Sequence, residues 1–210
     1  MKPLRQALLL AATAALLAGC LGGPAPVEHY LRIQQGAVAP CDDPGVERTA
    51  DDVAVLALKP LESLPALDRL AVLLSEGQVL NPSTYWYWEG TPAEVLGTVL
   101  AESLSCSPRY RVVAPYRTRV AHRAVLTGSV DAFEIGRAPA PEFRLRVRLD
   151  LWSPHARQWL AGTTFSRTES MAALDPESAA LAAEQAVAGL ARDVIDWLER
   201  NRELLPEPEE

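Results

Sequence analysis

The stretch "EFRLRVRLDLW" (residues 142–152) alternates without a break. Phe143, Leu145, Val147, Leu149 and Leu151 fall on one side, and Arg144, Arg146, Arg148 and Asp150 on the other. A period of two over this length specifies a strand with one buried and one solvated face. "SPHAR" then turns the chain into "QWLAGTTFSRT" (158–168), which predicts an antiparallel hairpin. Upstream, "RAVLTGSVDAFEI" (123–135) and "RYRVVAPY" (109–116) read as further strands, and "YLRI" (30–33) as a short first one. "VAVLAL" (53–58) is a continuous apolar run, as expected of a strand covered on both faces. "RLAVLLSEGQVL" (69–80) reads as two strands around a Ser-Glu-Gly turn.

Two helices announce their starts. In "TPAE" (91–94) Thr91 caps free backbone N–H groups, Pro92 occupies a position where a missing N–H costs nothing, and Glu94 completes a capping box. Val95, Leu96, Val99, Leu100 and Leu104 mark its apolar face until "CSP" ends it near residue 107. Asp175 and Pro176 repeat the start signal, and Ala183, Val187, Leu190, Val194 and Leu198 line one side of a helix reaching about residue 203. The sum is a single α+β domain: a largely antiparallel sheet packed by two amphipathic helices.

The N-terminus has a different character. Lys2 and Arg5 precede the apolar run "ALLLAATAALLA" (7–18), too short to cross a hydrocarbon core of about 30 Å and suited to an export signal. "LAGC" (17–20) resembles the bacterial lipobox, which implies cleavage before Cys20 and its lipidation. Diacylglycerol and an N-acyl chain such as palmitate would then anchor the protein to a membrane. Leu21, where an inner-membrane retention signal would place Asp, favours the outer membrane, with the domain facing the periplasm. The expected organisation is a signal peptide (1–19), lipidated Cys20 with a tether (20–28), an α+β domain (29–205) and an acidic tail (206–210). Cys41 and Cys106 are the cysteines left over, and an oxidising compartment leaves open either a disulfide between them or two separate thiols.

The mature chain keeps 18 basic residues, Lys2 and Arg5 leaving with the signal, against 27 acidic ones, a net charge of −9. Export and that balance argue against nucleic acid. No nucleotide-phosphate motif, G-x-S-x-G elbow, C-x-x-C or metal-ligand spacing is present, and His29, His122 and His155 are scattered. No catalytic residues, metal or cofactor are therefore expected, and the chain reads as a non-enzyme. Within residues 109–157, however, ten Arg face only four acids. Arg144, Arg146 and Arg148, about 7 Å apart along one strand face, either solubilise the sheet or meet lipid head groups or an acidic partner.

"STYWYWEGTPAEVL" (83–96) packs Tyr85, Trp86, Tyr87 and Trp88 into consecutive positions. In an extended chain the tyrosines point one way and the tryptophans the other. One pair should sit under the following helix, with Trp88 the better core candidate, while the rest offers a partner or lipid surface.

Tyr30-Leu31, Leu67-Asp68-Arg69, Trp88 before the Pro92 helix, Val130 with Phe133 and the helix after Pro176 come in the order that characterises one family. With the lipobox, the chain resembles the ABC-type transport auxiliary lipoproteins, among them the lipoprotein of the paraquat-inducible system. The resemblance implies an accessory role in trans-envelope lipid transport, beside an ABC transporter and a mammalian-cell-entry-domain protein, with homo-oligomerisation open. Two other classes compete: an outer-membrane assembly or secretion accessory that partners a β-barrel, and a periplasmic enzyme. The additional aromatics, the Cys41/Cys106 pair and the long 34–52 insertion depart from the family pattern.

Overall fold

A computed structural model describes residues 27–33, 53–117 and 119–206. The signal peptide with Cys20, the loop with Cys41 and the last four residues of the acidic tail lie outside the described residues.

Strand β7 (Ala124–Gly136) is the spine of a nine-stranded sheet. On one flank it pairs antiparallel with β8 (Glu142–Trp152), which in turn pairs antiparallel with β9 (Trp159–Ser170). These are the long ladders: β8 occupies the stretch whose alternation predicted it, and β7 and β9 fall on the neighbouring stretches expected to be strands. Ser153 closes the β8–β9 connection: its N–H donates to the Gln158 carbonyl at 2.8 Å, and its Oγ accepts from the Gln158 N–H at 2.9 Å.

The other flank of β7 is built in three steps. β2 (Ala54–Leu58), β3 (Glu62–Ser63) and β4 (Ala71–Glu76) add successively along its length, each parallel to it. Beyond them β6 (Tyr110–Val113) adds parallel to β2, β5 (Val79–Trp88) antiparallel to β4, and β1 (His29–Leu31) parallel to β5. The sheet is thus mixed, with its longest ladders antiparallel. The β2 apolar run is nearly all buried, as a central strand between two parallel neighbours must be.

Strand β5 runs eight residues past the expected end at Leu80. Pro82 is tolerated there because β1 covers only Trp86 to Trp88, so that no described strand pairs with Pro82 on the side away from β4 and no ladder N–H is missing among the described residues. The register then slips, from Leu73 opposite Pro82 to Ala71 opposite Tyr87. The surplus residues bulge, and Ser83 Oγ accepts the freed N–H groups of Tyr85 and Trp86 at 3.2 and 3.0 Å.

Helix α1 (Pro92–Cys106) begins with the predicted capping box: Thr91 Oγ1 accepts from the Glu94 N–H, and Glu94 Oε2 accepts from the Thr91 N–H at 2.9 Å. Helix α2 (Pro176–Arg200) begins at Asp175, whose Oδ1 accepts from the Ser178 N–H at 2.8 Å. It ends at Arg200, and a short 3-10 turn (Arg202–Leu204) replaces the last helical residues expected. The helices lie against each other and against one face of the sheet, enclosing a single core. Leu96, Leu100 and Leu104 come from α1, Val187, Leu190, Val194 and Leu198 from α2, and Phe143 to Leu151 from β8. Each such side chain contributes about 1.5–3 kcal/mol by leaving water.

Candidate functional site

The alternation of β8 sends its arginines to the sheet face without helices. Beside them stand Thr164, Ser166 and Thr168 of β9 and Ser129, Ala132 and Glu134 of β7. Arg144 is engaged, donating from Nε and Nη2 to Glu142 Oε1 at 2.6 Å, with Glu134 at 4.0 Å. Arg148 pairs with Asp150 at 3.1 Å. Arg146 stands opposite Ala132 and Ser166 and is exposed, with no ion pair among the described residues. The three guanidinium groups share a face, and the middle one is the free cation among them.

The aromatic stretch divides between the two faces. Trp88 is 1% exposed and meets Phe133 and Phe143 edge to face, with ring centroids at 5.0 and 5.9 Å. Trp86 is half-buried against the same core. On the other side Tyr85 is exposed, and Tyr87 stacks on Tyr30 of β1 at 5.5 Å. Tyr30, Tyr85 and Tyr87 are therefore the aromatic surface; Trp86 contributes only in part.

The hollows in the surface were not anticipated from the sequence. The larger, about 870 Å³, runs between α1 and the chain after β2. Leu58, Pro60, Leu61, Ala93, Gly97 and Ala101 give it an apolar floor, while Glu62, Asp68, Glu94 and Glu102 make its rim acidic. Its sequence signal was Ala93, Gly97 and Ala101 at four-residue intervals, small residues on a helix face outside the predicted apolar stripe. The second hollow, about 460 Å³, lies on the helix-free face near the β8–β9 turn and contains Arg148, Asp150, Thr127, Ser129 and Trp152.

Among the described residues, no group of three His, Cys, Asp or Glu could hold a metal ion. The displaced titrations have structural causes. Hydrogen bonds from the Thr91 backbone and side chain hold the Glu94 carboxyl below its ordinary range. Burial, reinforced by Glu199, pushes the Tyr110 phenol up. Cys106 is half-buried as the last residue of α1. No described helix is long and apolar enough to cross a membrane.

Comparison with known proteins places this architecture. The protein XCC0632 from Xanthomonas campestris, of the DUF330 family, superposes with a TM-score of 0.68 over 83% of this chain and 96% of its own, at 15% identity. An uncharacterized protein superposes with a TM-score of 0.64 over 82% and 99%, at 11% identity. At such identities these likenesses show the fold alone. No curated protein matches the chain. Residues 41–195 match the family described as the ABC-type transport auxiliary lipoprotein component, most of the α+β domain, and the chain belongs to that family.

Proposed function

We propose that the protein is a lipid-anchored accessory subunit of an ABC-transporter-linked lipid transport system that crosses the cell envelope. In this reading Cys20 carries the acyl chains and holds the domain on the outer membrane. The domain faces the periplasm and docks a mammalian-cell-entry-domain protein. A Cys41–Cys106 disulfide ties the loop after β1 to the end of α1. The family match over residues 41–195 carries the proposal. The helix-free face supports it: exposed Tyr30 and Tyr85, the Tyr87 ring and the unpaired Arg146 offer aromatic and guanidinium groups of the kind that anchor protein interfaces.

The test is photo-crosslinking in intact cells from a reactive residue at position 85 or 146, with the captured proteins identified by mass spectrometry. The expected result is capture of a mammalian-cell-entry-domain protein from at least one position, and its loss when the other position is also changed, Arg146→Glu with the probe at 85 or Tyr85→Ser with the probe at 146, in a protein that still reaches the membrane. Capture of a β-barrel alone would overturn the docking role in favour of an assembly accessory. Capture of nothing from either position would remove this face as the docking surface.

A further inference from the structure

At the end of the helix-free face nearest the β8–β9 turn, an exposed aromatic ring is tied to a charged pair. Trp159 is 53% exposed, yet its indole is fixed. Nε1 donates to Asp150 Oδ1 at 3.1 Å, and the other oxygen of the same carboxylate accepts from Arg148 at 3.1 Å. Gly162 makes this possible, since a Cβ there would overlap Asp150 Oδ1 and press on the Trp159 ring. Asp150 is itself largely enclosed, with 15% of its side chain exposed, so it is a rigid bridge between an aromatic plate and a guanidinium.

Arg148 and Asp150 stand between two adjoining hollows. The one of about 460 Å³ reaches toward Lys59 and Glu62, and a second of about 320 Å³ lies beside Trp159 and Thr164. Trp152 borders the first, its Nε1 donating to Thr127 Oγ1 at 3.1 Å. Among the described residues, no Leu, Ile, Val, Phe or Met lines either hollow. The charged residues lining them balance, Lys59 and Arg148 against Glu62 and Asp150. Beyond the indoles, Pro60 and Ala156 an apolar chain would find little apolar wall here, and an anion would meet as many carboxylates as cations. Two indoles with satisfied N–H groups, threonine and serine hydroxyls, and a carboxylate–guanidinium pair suit one chemistry well. Sugar C–H groups stack on the negative face of an aromatic ring, and sugar hydroxyls bond to planar charged groups in a fixed geometry.

We infer that this trough is a binding site for a neutral saccharide. Trp159 is the stacking platform, and Arg148 with Asp150 recognises the ring hydroxyls. The site is separate from the docking role and stands or falls independently of it.

The experiment titrates the full protein, in a sugar-free detergent, with chitotriose and with maltotriose, observed by saturation-transfer NMR and by the indole N–H resonances. At least one trisaccharide should bind saturably and shift the Trp159 resonance, a readout that needs no variant. Trp159→Ala should weaken binding by at least about tenfold, Trp159→Phe by much less, and Arg148→Met severalfold, each with an unchanged unfolding midpoint. Absence of saturable binding by both probes would overturn the inference, as would unchanged affinity in Trp159→Ala. A response confined to a phosphorylated sugar such as glucose 6-phosphate would overturn the neutral class.

Discussion

Replacing Trp88 separates two contributions that the core superimposes. The ring is enclosed between Phe133 and Phe143, and its Nε1 is buried without a hydrogen-bond partner among the described residues. Truncation to Ala removes the whole ring and both edge-to-face contacts, and should cost about 3–5 kcal/mol. Trp88→Phe keeps an aromatic ring in place. The smaller void costs about 1–2 kcal/mol, while deleting a buried unpaired donor returns about 1–3 kcal/mol. The Phe variant should therefore lie between about 1 kcal/mol less stable and about 2 kcal/mol more stable than the parent protein. Urea unfolding followed by far-UV circular dichroism gives both values from midpoint and slope. If Trp88→Phe loses as much as Trp88→Ala, the indole N–H is satisfied and the reasoning fails. A loss below about 1 kcal/mol in Trp88→Ala would remove the residue from the core altogether.

Thr91→Ala should cost about 1 kcal/mol by opening the capping box at the start of α1. Because Glu94 titrates below its ordinary 4.5 in the folded chain, its contribution is present above that pH and is lost as pH falls through the lower folded value. The urea midpoint of Glu94→Gln should accordingly fall less steeply on acidification, and an identical profile would refute the linkage. Gly128→Ala places a Cβ onto the Arg148 carbonyl oxygen and the Leu149 side chain across the β7–β8 ladder, and should destabilise by about 2 kcal/mol or more in a thermal melt. Cys106→Ser and Cys41→Ser should each lower stability by about 2–4 kcal/mol, to the same level as reductant does, if the two are bonded. An unchanged midpoint in Cys41→Ser would exclude the bond.

The elements that the sequence announced are those whose order is local. Strand β8 carries its face assignment in every second residue, and both helices carry their own start signals, so these could be read before any contact was known. The parallel pairings could not. Leu56 pairs with Ala124 and Glu62 with Ser129, partners that only the assembled sheet brings together. The apolar run of β2 signalled burial on both faces without naming a neighbour. The extension of β5 through Pro82 was hidden because a proline's meaning in a strand depends on which side has a partner. Among the surface residues, position parity correctly separated Trp88 from Tyr85. The pinning of Trp159 depends on Gly162 and Asp150 lying opposite each other across a hairpin, a register that alternation alone does not fix.

Strand β7 leaves the rest of the sheet in an unusual state of independence. The three steps on its parallel flank hydrogen-bond to β7 but not to one another: β2 continues to β6, β4 to β5 and β1, and β3 ends where it begins. Their backbone ladders are therefore separate, and side-chain packing in the one core is what joins them. The edge that carries Tyr30 and Tyr87 is thus joined to the arginine-bearing ladder through the Trp88 ring in the core and not through a shared run of backbone hydrogen bonds.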